Sequence, residues 1–435
     1  MPVAAAQAAE SIPTDLAEAV VSPAVHADEA RIHALFSELR RTSPVHWTQP
    51  ADYRPFWALT RHADIMEVSR KNDIFINSRR LNLMTRAQEA TAKRAAGKSG
   101  GKYDRMYRTV AHMDNPDHRE YRRVTAEWFM GPGVRKFEAA VAALAEESLD
   151  HIASFGGEPF DFATEVANLF PLRVIMSILG VPREDQPLML RLTQQFFGAD
   201  DADLGGAGAH DGANTGQHFD LLGQFFDYFT AMAADRRKAP RDDLATVIAC
   251  GRPYDGPMGD LETASYYAVI ATAGHDTTAA ATAGGLLALL ENPDQWQKLR
   301  SDPEKTRSAV EETLRWVSPV KHFLRTARED YRLGDTTIAA GDGVALFYPS
   351  ANRDDAVFAD PFRFDIERSP NKHLAFGFGG HMCLGLSLAR LELTTFLRAF
   401  ARRVDSIEPA GDVQRIHANL VGGFKALPVR LNLVN

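Results

Sequence analysis

A mainly helical α+β fold is what this sequence predicts, on three observations. Apolar side chains recur at helical spacing through most of residues 116–236. Two short runs, FWALT at 56–60 and GVALFY at 343–348, read as strands, so the sheet content is expected to be small. A long apolar window, Tyr266–Leu290, fits a helix buried on most of its faces.

Taken in chain order, MPVAAAQAAESIPTDLAEAV is alanine-rich without a basic start or a long apolar core, which predicts a loose N-terminal arm over residues 1–26. A single domain is expected over 27–435, one large helical part with a smaller strand-containing lobe. Its first amphipathic helix falls at 27–40, and further helical patterns cover 116–130, 135–155, 162–178, 184–196, 217–236 and 258–290. The glycine- and alanine-rich stretch 200–216 reads as a loop between two of them. Residues 81–108 carry several basic side chains and the run Gly97-Lys98-Ser99. They lack the glycine spacing and the preceding strand of a phosphate loop, and they read as a solvated loop or short helix.

Composition excludes several classes. At 435 residues, 45% hydrophobic and 24% charged, the chain is that of an ordinary globular protein. A formal charge of −8 argues against a nucleic-acid-binding surface, which needs a basic excess. Two cysteines, Cys250 and Cys383, cannot build a disulfide framework, and without a secretory pattern a cytoplasmic location is expected. His275 and Asp276 interrupt the apolar window near its middle, where lipid would penalise both, so no membrane span is expected.

The chemistry concentrates around Cys383. It lies in FGFGGHMCLG, residues 376–385, a run with four glycines directly before the helical pattern LSLARLELTTFLRAF. A sulfur near a helix N-terminus meets backbone N–H groups that favour thiolate, and the glycines let the backbone turn tightly against something flat. This segment resembles the haem-ligand loop of the cytochrome P450 superfamily: Phe376, Gly379, Cys383 and Gly385 fill its pattern without a gap. Cysteine as the axial haem ligand is that superfamily's known chemistry.

The resemblance extends along most of the chain, roughly residues 28–430, and it implies a triangular helical domain with a smaller β-containing lobe. It implies haem b as cofactor, held by Phe376, Cys383 and Gly385, with Ala273 giving room above the ring. His118, Arg122, Arg325 and His381 take the role of propionate donors; arginine can fork onto a carboxylate. Glu312 and Arg315, three apart on one helix face, correspond to the Glu-x-x-Arg pair that braces the cysteine loop. Arg363 is the first choice for the later arginine that completes this network and Arg353 the second. Asp276 and Thr277 correspond to the pair that delivers protons to dioxygen.

The implied activity is hydroxylation of a C–H bond with dioxygen and two externally supplied electrons. The recognised pattern ends near residue 430 without a flavin- or nicotinamide-binding region. A [2Fe-2S] or similar ferredoxin with a separate NAD(P)H-dependent ferredoxin reductase is therefore expected, attracted by basic residues such as Arg79, Arg122 and Arg390, and the enzyme is expected to be a monomer. Matching runs place Val269, Val320, Phe323 and Val421 around the substrate and point to the terpineol-oxidising branch, hence to a monoterpenoid or compact aromatic hydrocarbon. Residues 81–108 are expected to cover it. Steroid or fatty-acid hydroxylation, haem-thiolate chemistry without oxygen insertion, and a non-catalytic haem sensor or carrier stay open as alternatives.

Overall fold

The two strands legible in the sequence lie side by side. In the computed structural model, which describes residues 15–98, 108–197, 201 and 215–434, the strand Phe56–Leu59 runs parallel to Gly343–Phe347 with Phe56 opposite Gly343. Three more strands complete a five-stranded sheet: Val45–Thr48 outside Phe56–Leu59, then His322–Ala327 and Phe75–Ile76 beyond Gly343–Phe347. All five residues of Gly343–Phe347 are buried, as a central strand with neighbours on both edges requires.

The rest is helix. The helix Asp260–Glu291 runs through the interior, with most of its side chains buried around the whole circumference, and that is why its sequence shows an apolar run instead of one stripe. It packs on Leu169–Leu179, Thr215–Lys238 and Thr306–Val317. The expected helices are found at Glu29–Thr42, Asp117–Phe129, Glu138–Ser154, Gln186–Phe197 and Thr215–Lys238. The pattern over 162–178 opens with a π-helical turn, Ala163–Ala167, before Leu169–Leu179. Among the described residues no helix is long and apolar enough to cross a membrane.

One expectation needs correction, and a second resolves to one of its two readings. The arm placed at 1–26 is, from Asp15 onward, two short packed helices, Leu16–Val21 and Pro23–Ala27. Asp15 caps the first by accepting from Ala17 N at 3.0 Å, and Ser22 caps the second. Their Val20, Val21 and Val25 are buried with Phe36, Phe56 and Phe347 under the sheet. Residues 1–14 lie outside the described residues, as do 200 and 202–214 of the expected loop. Within 81–108 the structure has the helix Arg86–Lys98. Thr85 Oγ1 accepts from Gln88 N at 3.1 Å while Gln88 Oε1 accepts from Thr85 N at 2.8 Å, a reciprocal cap that starts it; residues 99–107 lie outside the described residues.

Candidate active site

The loop 376–385 is folded by its own backbone. Gly377 N donates to Leu374 O at 2.9 Å and Cys383 N to Phe376 O at 2.8 Å, closing the run into a tight arch. Gly379 has φ +74°, and a Cβ there would stand 2.1 Å from Ser69 O, so only glycine lets the loop lie this close to the helix His62–Arg70. The helix Leu386–Arg403 begins three residues after Cys383. Burial pushes the Cys383 thiol up from its ordinary value, against the Gly385 backbone N–H and the Arg122 and Arg390 charges. The sulfur is enclosed by protein on one side and open on the other, toward a cavity of about 1220 Å³.

That cavity gathers nearly all the site residues named from the sequence. His118, Arg122, Ala273, Thr277, Arg325, Phe376, His381, Cys383 and Gly385 line it, and so do Val269, Val320, Phe323 and Val421. His118 and His381 lie against each other with ring centres 3.9 Å apart and planes tilted by 34°, and burial holds them down to about 4 and about 2 respectively. Arg122 donates to Met382 O at 2.7 Å. Arg325 is buried, donates to Leu324 O at 3.0 Å and meets the Tyr348 hydroxyl. Two arginines and two histidines thus converge from three separate elements with neutral partners, a donor surplus suited to an anionic group.

Across the cavity stands the middle of Asp260–Glu291. Ala273 is open to the space, and Thr277 Oγ1 donates to Ala273 O at 2.7 Å. Gly274 also borders the cavity, but a Cβ there would strike Ile175 Cγ1 at 2.8 Å, so this glycine serves packing on Leu169–Leu179 as well as room. Asp276 lies beside the cavity wall without lining it. Its Oδ1 is 3.5 Å from His275 Nδ1, and its buried Oδ2 has no partner. His275 itself is fixed between Thr193 Oγ1 at 2.7 Å and Asn168 O at 2.8 Å, stitching this helix to two others.

The brace of the cysteine loop differs from expectation in its third member. Glu312 and Arg315 are fully buried and joined by two bonds of 2.7 Å. Neither Arg363 nor Arg353 meets the Glu312 carboxylate. Arg363 is exposed and offers only its carbonyl, 3.1 Å from Arg315 Nη2. Arg353 caps the end of the helix Thr306–Val317 by donating to Arg315 O and Trp316 O. Arg368 is the side chain that reaches Glu312, with Nε 3.2 Å from both carboxylate oxygens. Asn371 Nδ2 at 3.1 Å and Asp365 N at 2.9 Å complete the carboxylate's shell. Asn352 carries the brace to the loop: its carbonyl accepts from Arg315 at 2.9 Å and its Oδ1 from Leu374 N at 2.7 Å.

One further group was missed. Glu392, on the helix after Cys383, borders the cavity, is 1% exposed, has one orphaned oxygen, and is pushed well above the ordinary carboxyl range by burial. It sits inside an apolar pattern that gave it no separate signal. Arg390 is held by Glu311 through bonds of 2.7 and 2.8 Å and lies 4.7 Å above the Phe376 ring. Its side chain remains 38% exposed beside this ion pair.

A haem fits these residues. A cysteine sulfur faces open space, a Cβ on Gly385 would meet nothing within 4 Å, and the cavity wall brings together four cationic or donor side chains of the kind that two propionates would need. Fold and site together define a haem enzyme that works on an apolar guest. The comparisons with known proteins agree. The Cytochrome P450 family profile matches residues 214–427. Cytochrome P450-terp of a Pseudomonas species is 37% identical over 97% of this chain and 98% of its own. A steroid C26-monooxygenase of Rhodococcus jostii is 32% identical over 91% of this chain and 80% of its own. The crystal structure of CYP108D1 from Novosphingobium aromaticivorans superposes with a TM-score of 0.88 at 39% identity, covering 97% of this chain and 99% of that one. The chain belongs to the cytochrome P450 superfamily. It is a haem b monooxygenase that hydroxylates small hydrophobic substrates.

Proposed function

We propose that this enzyme hydroxylates a C–H bond of a monoterpenoid or a compact aromatic hydrocarbon, with Cys383 as the residue that would hold the haem iron. The observation that carries the reading is that Val269, Val320, Phe323 and Val421 share one cavity with Cys383 and Thr277, so an apolar guest packs directly over the place where the haem reacts. An isolated antiparallel β-bridge between Val320 and Val421 closes that wall. The likeness to Cytochrome P450-terp, over nearly the whole of both chains, favours a terpenoid over a steroid.

Haem with a thiolate ligand supplies dioxygen activation; the chain supplies grip, exclusion of water and protons. His118, Arg122, Arg325 and His381 would hold the propionates, and the Glu312–Arg315–Arg368 brace keeps the cysteine loop in place. Thr277 Oγ1, leaving its bond to Ala273 O, presents a hydroxyl proton to the cavity. Asp276, whose Oδ1 faces His275 and whose Oδ2 is unpartnered, resupplies that proton by turning its carboxyl group toward Thr277. Electrons come from a [2Fe-2S] or similar ferredoxin and its NAD(P)H-dependent reductase. Arg119 and Arg123, exposed on the helix that also carries Arg122, and Met382, 40% exposed beside the ligand, form a surface suited to such a partner.

The test is an optical titration of the haem-loaded protein with terpenoids, alkylbenzenes, fused aromatics, steroids and fatty acids, followed by carbon monoxide binding to the reduced form. A thiolate-type carbon monoxide band with a high-spin shift from terpenoids or small aromatics supports the reading. A shift from steroids alone overturns the substrate class, and a histidine-type band in intact protein overturns the ligand.

A further inference from the structure

Behind the substrate wall lies a relay of hydrogen bonds that none of the family motifs above includes. His322 is fully buried at the start of the strand His322–Ala327 and does not itself line the cavity. Its Nε2 accepts from Leu83 N at 3.0 Å. Its Nδ1 stands 2.8 Å from Asn419 O. A backbone N–H can only donate and a carbonyl can only accept, so the ring is fixed as the neutral Nδ1–H tautomer. Asn419 continues the line by donating from Nδ2 to Val21 O at 2.9 Å, at the end of the helix Leu16–Val21. The relay therefore runs from the packed N-terminal helices through Asn419 and His322 to Leu83.

Its two ends are cavity walls. Leu83 and its neighbour Met84 line the cavity, as do Asn419, Leu420 and Val421, and so does Phe323, next to His322 in sequence. Backbone bonds hold each wall to the sheet separately: Leu324 N to Leu81 O at 2.7 Å, Lys321 N to Leu420 O at 2.8 Å and Gly422 N to Pro319 O at 2.8 Å. His322 is the side chain that bonds to both walls at once. It sets the spacing between them, because an imidazole has two hydrogen-bonding nitrogens on a rigid ring and cannot lengthen to follow a displaced partner.

We infer that His322 is a positioning residue for substrate, the tie that fixes the distance between the Leu83 wall and the Asn419–Val421 wall and so decides which guests fit and which carbon they present. This rests on the reading of the cavity as the substrate site. It also gives the N-terminal helices a function: through Val21 and Asn419 they back the wall that carries Val421.

The test uses haem-loaded enzyme and three variants. His322→Gln places an acceptor near the Nε2 position and keeps Leu83; His322→Asn places a donor near the Nδ1 position and keeps Asn419; Asn419→Ser cuts the link to Val21 without touching His322. Each is read by its reduced carbon monoxide band, by spin-shift dissociation constants for the compound class to which the wild type responds, and by product distribution with a reconstituted electron supply. The expected result is an unchanged thiolate band in all three. Dissociation constants rise about tenfold, the scale of one net hydrogen bond, in His322→Asn and His322→Gln. The two differ from each other in the ratio of products, because each releases a different wall, and Asn419→Ser shifts the ratio as His322→Gln does. Folded variants with wild-type constants and product ratios would overturn the inference, as would a uniform loss of activity with the ratios intact. If neither His322 variant binds haem, Asn419→Ser decides by the same two readouts. A wild type that responds only to steroids would refute the proposed substrate class, yet leave the relay testable on steroids.

Discussion

The carboxylate of Glu312 and the guanidinium of Arg315 meet through two 2.7 Å hydrogen bonds at a point where both side chains are wholly buried. The cost of desolvating them is offset because every remaining donor is used: Arg315 also reaches Asn352 O, Pro361 O and Arg363 O. Removing one partner leaves the other uncompensated. Glu312→Ala is expected to cost about 3–5 kcal/mol of stability and to release haem, since Asn352 and Leu374 lose their support. Arg368→Ala should follow in the same direction with a smaller loss, while Arg363→Ala should match the wild type, its exposed side chain being outside the network. Denaturant midpoints and retained haem absorbance rank the three; an Arg363 variant worse than Arg368 would refute the assignment.

Much of this was legible in the sequence because the motifs carry their own geometry. FGFGGHMCLG needs its glycines where backbone approaches backbone, and Glu312 and Arg315 must share a helix face at their spacing. The third arginine was not legible, because Arg363 and Arg368 lie in an irregular segment where spacing says nothing about direction; the chain uses the carbonyl of one and the side chain of the other. The bonding roles of His275 and His322 were hidden for a different reason: their partners come from segments far away in sequence, Asn168 and Thr193 for His275 and Leu83 and Asn419 for His322. Glu392 lies between Leu391 and Leu393 in a helical pattern that gave it no separate signal. The N-terminal helices were missed because short alanine-rich helices are weak by propensity and exist here through packing against the sheet.

Cys383 faces the cavity with its backbone N–H already bonded to Phe376 O, so the loop's shape does not depend on the sulfur. Cys383→Ser is therefore expected to fold with a far-ultraviolet spectrum and stability close to wild type. Its reduced carbon monoxide complex should lack the thiolate-type band, and product formation should fall to background. A thiolate-type band persisting in that variant would exclude Cys383 as the ligand.

Thr277 and Asp276 differ in placement, and the difference gives each variant its own signature. Thr277 borders the cavity, whereas Asp276 rests against His275 behind the wall. Positioned proton transfer contributes about 10²–10⁴-fold. Asp276→Asn is expected to slow turnover by about that factor, with substrate binding unchanged and a slower rate when solvent protons are replaced by deuterons. Thr277→Ala is expected to keep consuming electrons but to divert them to hydrogen peroxide. Measuring product, peroxide and electron consumption together separates the two; tight coupling in Thr277→Ala would remove it from the proton path.

His26 offers a test of the N-terminal helices through pH. It is 1% exposed, its Nε2 donates to Val20 O at 2.8 Å, and burial, reinforced by the Lys321 charge, holds it down to about 3. The unfolded chain takes up a proton on this ring near its ordinary value of 6.5, and the native state does not. Folding is thus opposed progressively as pH falls from about 6.5 toward about 3, by about 1.4 kcal/mol for each pH unit from this one group. Glu392, held protonated in the native state, acts in the opposite sense, so the total slope is a difference and only a variant isolates the histidine. His26→Gln keeps a donor for Val20 O and cannot titrate. Its denaturation midpoints between pH 6.5 and 4.5 should fall less steeply than those of the wild type by about that amount, with equal haem content in both. Identical slopes would mean that these helices are open to solvent in the native ensemble and not packed as the structure shows.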